Sequence, residues 1–294
     1  MSLLTGPVDV KTMDLLKKHG FRFKKKWGQN FLLDKNLLKK IVQTAQITPG
    51  DRVVDIGAGA GTLTRTLVEA GARVLAVEID PSLIPVLRES LEGTAVQIIQ
   101  GDILKMDLDE LTRRHGLAWP YKVVANLPYY ITTPILMNLL ENEYHLELLV
   151  IMVQWEVAER LAAEPGTKAY GAVTLAIQYY CETKAVFKVP RRLFTPPPEV
   201  DSAVICLKRR TRRPLDVLDE KLMFKIIKAA FGQRRKTLSN SLLNVEPGFD
   251  RKRLQEILDD SGINPQRRGE TLSLREFAVL ANCWREKGGW QQNK

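Results

Sequence analysis

Asn126-Leu127-Pro128-Tyr129 follows directly on the apolar run Tyr121-Lys122-Val123-Val124-Ala125. Such a run reads as a buried strand, and Asn and Pro beside it make the turn that leaves it. The four residues suit methylation of an aromatic amine. The exocyclic nitrogen of adenine is a poor nucleophile because its lone pair is delocalised into the ring. The Asn126 side-chain oxygen and the Leu127 carbonyl can each accept one of its two N–H groups, favouring a pyramidal nitrogen as the transition state develops. Pro128 holds the turn and aims that carbonyl, and Tyr129 offers a face on which an unstacked base can lie. No general base of tuned pKa is required, because a sulfonium donor already carries the leaving group's charge and the proton can depart after transfer. A plain strand-to-helix turn uses the same residue types, so the case rests on what stands upstream.

Upstream is a turn fit for the methyl donor. Asp55-Ile56-Gly57-Ala58-Gly59-Ala60-Gly61 joins the run 52–56 to a helical stretch. Glycines there adopt dihedrals closed to other residues and let the backbone approach a ligand. A dinucleotide-binding turn needs G-x-G-x-x-G, but counting from Gly57 the third glycine position is Thr62. The spacing suits a ligand with no pyrophosphate to cradle, and S-adenosylmethionine is such a ligand. Glu78 stands seventeen residues after Gly61, at the end of the next apolar run, where a carboxylate can accept from both ribose hydroxyls. Asp102, in Gln100-Gly101-Asp102-Ile103, is placed to accept from the adenine amino group. Each alone is an ordinary turn glycine or solvated acid. Their succession at three strand ends makes a cofactor site.

The elements that must position these residues follow from hydrophobic period. Helices are expected over 36–47, 62–70, 81–91 and 133–140, and strands over 52–56, 73–77, 96–99, 121–125 and 147–153. A strand, a glycine turn, a helix and a second strand imply a parallel sheet with right-handed crossovers. Leu148-Leu149-Val150-Ile151-Met152-Val153 is continuously apolar, as in a sheet covered on both faces. Two further strands, 183–189 and 202–207, flank a proline-rich loop and are expected at one sheet edge. The basic run 208–214 reads as a linker, and helices are expected over 219–231, 233–243, 250–259 and 273–286. The fold class is therefore α/β, a Rossmann-like methyltransferase sheet over residues 1–207 with a basic N-terminal arm, followed by a small helical RNA-binding domain over 208–294.

Composition narrows the partner. Of 294 residues 45% are hydrophobic and 27% charged, ordinary for a globular chain. The net charge of +10 is unevenly spread: residues 1–50 carry ten Lys/Arg against three Asp/Glu, and residues 205–294 carry twenty against eleven. The stretch between them carries fourteen against twenty. Two basic flanks around an acidic body fit a polyanion gripped on both sides of a site. Lys24-Lys25-Lys26 and Arg234-Arg235-Lys236 are the candidate phosphate contacts, though any one such run can be a solvated face. Three scattered cysteines and three scattered histidines point to neither a disulfide framework nor a metal site, and a reducing cytoplasm is the expected compartment. No apolar run approaches a membrane span, and no signal-peptide core is expected in the charged first eighteen residues. Nothing requires an oligomer, and a monomer is expected.

Asn126-Leu127-Pro128-Tyr129, with Gly28-Gln29-Asn30-Phe31-Leu32 before the fold and Phe194-Thr195-Pro196-Pro197-Pro198-Glu199-Val200-Asp201-Ser202 after it, resembles the KsgA-type rRNA adenine dimethyltransferases. The segment Ala230–Leu238 is similar as well, so the resemblance spans roughly residues 20 to 285. It implies dimethylation at N6 of two adjacent adenosines in the 3′-terminal hairpin of 16S small-subunit rRNA, with S-adenosylmethionine as cofactor and the small-subunit precursor as partner. It implies further that Asn30 and Leu32 close over the cofactor, that Gly57, Gly59, Glu78, Ile79, Asp102 and Ile103 line its pocket, and that Asn126 serves both cofactor and base. Phe194 is implied to face the target adenine opposite Tyr129. Ala58, Ala60 and Tyr130 depart from the usual pattern without removing a contacting group. Three alternatives share parts of this pattern: the large-subunit rRNA methylase that confers macrolide resistance, an assembly or RNA-binding factor in which catalysis is secondary, and a DNA adenine methylase. Against the first stand Leu127, the long helical tail and the Phe231–Lys236 segment. The intact Asn126–Tyr129 turn argues against pure binding. The third lacks both its usual turn and a base-reading domain.

Overall fold

Alternating apolar runs and amphipathic stretches fold as a doubly wound sheet, in a computed structural model that describes residues 10–24, 28–233, 235–243, 245 and 250–287. Along the chain, α1 (Val10–Lys18) precedes a short strand, β1 (Phe31–Leu32), and α2 (Lys35–Thr44). Strands and helices then alternate: β2 (Arg52–Ile56), α3 (Thr62–Glu69), β3 (Arg73–Glu78), α4 (Ile84–Ser90) and β4 (Gln97–Gln100). The alternation continues through α5 (Leu108–Arg114), β5 (Tyr121–Asn126), α6 (Thr132–Glu141) and β6 (Leu146–Gln154). Two helices, α7 (Trp155–Leu161) and α8 (Ala172–Tyr180), lead to β7 (Cys181–Val189), β8 (Phe194–Thr195) and β9 (Ser202–Arg209). Four helices finish the chain: α9 (Glu220–Gly232), α10 (Leu238–Leu242), α11 (Arg251–Asp260) and α12 (Leu274–Glu286).

Seven strands form one sheet in the order β4-β3-β2-β5-β6-β9-β7. β2 to β6 run parallel to their neighbours, while β9 is antiparallel to β6. The two late strands lie at one edge, as expected. Helices cover both faces, so the central strands are apolar on both sides: Val53, Val54, Val123, Val124 and Val150 are fully buried. The exception is Lys122, in the middle of this run. Its Nζ donates to the carbonyls of Ala45 (3.2 Å) and Gln46 (2.8 Å), just past the end of α2, and pairs with Asp51 at 2.9 Å. A buried ammonium is tolerated there because helix-end carbonyls lack partners of their own and carry partial negative charge. β1 and β8 pair antiparallel as a separate ribbon, Phe31 opposite Thr195 and Leu32 opposite Phe194.

The chain divides into two compact units, but not at a single cut near residue 208. The first holds residues up to Ala158 together with Glu182–Arg209; the second holds Glu159–Cys181 and the chain from Arg210 onward. The segment that joins the helical unit is one for which no element was expected. Its helix α8, Ala172-Val173-Thr174-Leu175-Ala176-Ile177-Gln178-Tyr179-Tyr180, is apolar nearly all round, so it has no polar face to present to water. Tyr179 and Tyr180 pack on Phe224 of α9 at ring-centroid distances of 5.6 and 5.3 Å. Tyr170 donates its hydroxyl to the Leu272 carbonyl at 2.9 Å, and Trp284 of α12 is fully buried. The expected helix over 233–243 is shorter, spanning only Leu238–Leu242. No helix among the described residues is long and apolar enough to cross a membrane.

Candidate active site

The site lies where strand order reverses. From β2 the chain builds outward through β3 to β4, then crosses back to add β5 and β6 on the other side. A crevice opens beyond the C-terminal ends of β2 and β5, the usual ligand position in an open α/β sheet. It holds a cavity of about 840 Å³, open mouth included, with Asn30, Leu32, Gly57, Gly59, Glu78 and Ile79 in its wall. Asn126, Leu127, Pro128 and Tyr129 complete it. Asp102 and Ile103 line a smaller adjoining cavity that shares Gly57, Ile79 and Pro128 with the first. Asn30, Leu32, Gly57, Gly59, Glu78, Ile79 and Asn126 thus line one cavity, while Asp102 and Ile103 line the one beside it.

Gly57 and Gly59 hold φ at 77° and 59°, left-handed values that residues with a Cβ rarely take. At Gly59 space forbids a side chain as well, since a Cβ would stand 2.9 Å from the Phe31 ring. Glu78 pins this turn. Its Oε2 accepts from the Gly59 amide and its Oε1 from the Asp80 amide, both at 2.8 Å. Burial pushes its carboxyl pKa up from the ordinary value, against the pull of these amides. The expected ribose acceptor therefore already holds backbone amides, those of Gly59, Asp80 and Ile79.

Asp55 lies under the same turn. Thr64 donates its hydroxyl to Oδ2 at 2.6 Å, whereas Oδ1 is buried without a hydrogen-bond partner among the described residues. Burial raises this carboxyl, Thr64 lowers it less, and the Glu78 charge adds to the rise, to about 7. An orphaned acceptor in a cavity wall suits a ligand that brings a donor or a positive charge.

At the end of β5, Asn126 donates Nδ2 to the Asn30 carbonyl at 3.2 Å. The amide is thereby oriented and its Oδ1 is left as acceptor. Asn30 in turn donates its own amide to the Gly28 carbonyl at 3.0 Å, so the arm segment and the β5 turn are tied together. Pro128 gives its carbonyl to the Ile131 amide (3.2 Å) and the Thr132 hydroxyl (3.1 Å), fixing the turn into α6. The Tyr129 hydroxyl and Ser202 Oγ are 2.6 Å apart, which braces the ring. Burial raises the Tyr129 phenol pKa, so it stays protonated.

Phe194 is placed differently from the implied role. Its side chain is 3% exposed and packed with Leu32, Leu38 and Ile41 in the core, and it does not line the cavity. An apolar ring paired to the buried strand β1 gains more from that packing than from an open wall. Lys24 is likewise not presented as a free phosphate contact: Nζ lies 2.8 Å from Asp80 Oδ1 and 2.9 Å from Ser82 Oγ. Lys25, Lys26 and Arg234 lie outside the described residues. Arg235 and Lys236 are exposed in the loop between α9 and α10.

Asp80 is the functional residue that the sequence reading missed. It is wholly buried, and besides Lys24 it accepts from Gln29 Nε2 at 2.7 Å and from the Ser82 hydroxyl and amide. Gln29 Oε1 also accepts from the Lys24 amide at 2.9 Å. The result is a clasp that holds both ends of the segment 24–29 against the end of β3. An acid two residues after Glu78 looks like any surface turn residue, so no local signal could have found it.

A glycine turn after β2, acids closing β3 and β4 and an amide turn after β5 on this sheet define a class I methyltransferase. Residues 20–280 match the family described as ribosomal RNA adenine dimethylase, and the chain belongs to that family. It is similar to the ribosomal RNA small subunit methyltransferase A of Clostridioides difficile (strain 630), with 49% identity over 92% of this chain and 94% of the relative. The protein of the same name from Pelotomaculum thermopropionicum is 46% identical over 98% of this chain and all of its own length. Among solved structures, a dimethyladenosine transferase from Plasmodium falciparum aligns with TM-score 0.70 and 26% identity, covering 86% of this chain and 97% of its own. The 23S rRNA methyltransferase ErmE aligns with TM-score 0.61 and 28% identity, over 86% of this chain and 99% of its own.

Proposed function

We propose that this protein transfers methyl groups from S-adenosylmethionine to N6 of two adjacent adenosines in the 3′-terminal hairpin of 16S rRNA, in the course of small-subunit biogenesis. The relatives near 46–49% identity carry small-subunit names, whereas the 23S methyltransferase is 28% identical, which favours this reading over the macrolide-resistance one. On this reading the enzyme works in the cytoplasm on the assembling subunit.

The observation that carries the chemistry is the orientation of Asn126. With Nδ2 committed to the Asn30 carbonyl, Oδ1 is the atom left to accept from an amine. The residues of the crevice fit S-adenosylmethionine: the orphaned Asp55 oxygen and the Glu78 carboxylate place negative charge in the cavity wall, and the glycine turn admits close approach. When bound, this cofactor supplies a methyl group carried on a sulfonium. Asn126 Oδ1 and the Leu127 carbonyl would accept the two N–H groups of the adenine amine and draw its lone pair out of the ring. Tyr129, braced through Ser202, would support one face of the base. Phe194 could reach the other face only by leaving its present packing. After the first transfer one N–H remains, so the second transfer uses a single acceptor.

The test is to incubate the purified protein with S-adenosylmethionine and small subunits lacking the modification, then map methylated adenosines by mass spectrometry. Two neighbouring N6,N6-dimethyladenosines near the 3′ end are expected. Methylation confined to large-subunit rRNA, or none at all, would overturn the reading.

A further inference from the structure

A second cavity lies beside the first, and nothing in the methyl transfer uses it. It opens between α1, α2 and α3, and Leu38 and Thr62 form a partition that it shares with the cofactor cavity. Its rim carries Lys11 from α1, Lys35 and Lys39 from α2, and Arg65 from α3. Lys35 and Lys39 are one turn apart and so share a face of α2. Among the described residues the only acid in the lining is Glu69, one turn beyond Arg65. Thr12 and Ser90 set hydroxyl side chains into the buried floor.

Other lysines of this unit are committed elsewhere: Lys18 to Glu89, Lys24 to Asp80 and Lys122 to Asp51. The four cations around this cavity meet no carboxylate among the described residues. Gathered like charges repel, and an anion seated among them relieves that repulsion. The rim lysines are exposed and come from two helices, so the positive charge runs along a groove rather than closing around one small ion. The partition of Leu38 and Thr62 sets this positive groove against the cofactor cavity, and an RNA that delivers a base to the crevice brings backbone phosphates to be neutralised.

We propose that this groove seats backbone phosphates of the RNA substrate next to the target base. The proposal rests on the functional reading above and adds to it a site: an RNA contact built by α1, α2 and α3, including Arg65 from within the otherwise acidic middle of the chain. The arm would then bind RNA chiefly through Lys11, Lys35 and Lys39, while Lys24 serves the clasp.

The experiment is a salt titration of binding to an unmethylated 3′-hairpin RNA from small-subunit rRNA. It compares wild type with the triple variant Lys35→Ala, Lys39→Ala, Arg65→Ala, with Lys35→Arg/Lys39→Arg, and with Glu69→Gln. The triple variant should lower the log–log slope by about 2–3, since each cation removed releases roughly 0.7–0.9 counterions fewer. The arginine variant should keep the wild-type slope, and Glu69→Gln should tighten binding. Calorimetric affinity for S-adenosylmethionine should be unchanged in all, which separates loss of the groove from loss of fold. Equal slopes for wild type and triple variant would overturn the groove. So would equal slopes accompanied by lost stabilisation by inorganic phosphate, which would mark a small-anion site instead. If wild type still methylates rRNA in either case, the functional reading stands, whereas wild type that neither binds the hairpin RNA nor methylates small subunits overturns both.

Discussion

Asp80→Asn tests whether the arm segment is held over the cofactor by the clasp. Burial alone would push the Asp80 carboxyl up, but hydrogen bonds from Lys24, Ser82 and Gln29 outweigh it and hold the carboxyl at about 2 instead of 3.8. That difference is worth about 2.5 kcal/mol in favour of the charged form. Because the folded value lies below the unfolded one, the contribution is fully present above pH ~4 and is lost as pH falls through about 2. At neutral pH the substitution should therefore show its whole effect. The carboxamide must turn an N–H toward either Lys24 or Gln29, both of which are donors at 2.8 and 2.7 Å. Lys24 is partly exposed and its share is screened by solvent, which brings the expected loss of stability to about 1–3 kcal/mol. Lys24→Ala should cost less than Asp80→Asn. Urea unfolding at pH 7 reads the stability, and calorimetry reads the affinity for S-adenosylmethionine. That affinity should fall as well, because Asn30 and Leu32 lie just beyond the clasped segment. Stability within 0.5 kcal/mol of wild type together with unchanged affinity would refute the clasp.

Asn126→Ala should slow single-turnover methyl transfer by about 2–4 kcal/mol in barrier while leaving RNA affinity nearly unchanged; near-wild-type transfer would mean another group holds the amine. Asp55, at about 7, should make affinity for the cationic cofactor rise by up to about tenfold per pH unit below 7 and level off above it. In the absence of ligand the same raised value should make stability fall as pH rises from about 4 to 7; Asp55→Asn should flatten both profiles, and calorimetry and urea unfolding across pH 5–8.5 check this. Lys122→Met should destabilise by about 1–3 kcal/mol by stranding Asp51 and the carbonyls at the end of α2, read from urea midpoints. Replacing Arg234, Arg235 and Lys236 by Ala should reduce the salt slope of RNA binding by up to about 2–3, and parallel lines would show that this loop does not touch phosphate.

The sheet and its crevice were legible in the sequence because both are written in local terms. Apolar runs of five or six residues separated by helical stretches admit only a few topologies once the crossovers are right-handed. Gly57, Gly59, Glu78 and the Asn126–Tyr129 turn stand at strand ends, so placing the strands places them. α8 was not legible: a nine-residue apolar stretch has neither the period of an amphipathic helix nor alternation, and only packing against α9 decides it. Nor could sequence show which charges are spent inside the molecule. Lys24 looks like its neighbours in a basic run, and only the fold brings it across 56 positions to a buried Asp80. Asp55 reads as the first letter of a glycine turn, and only burial leaves one of its oxygens unpartnered and lifts its carboxyl to about 7. Lys35 and Lys39 belong to one helix and Arg65 to another, and α2 and α3 must pack before they form one surface. The sequence by itself determined which groups stand at strand ends, since that follows from period along the chain. Which of those groups remain available to a ligand was decided by tertiary structure, because partnership and burial depend on residues distant in sequence.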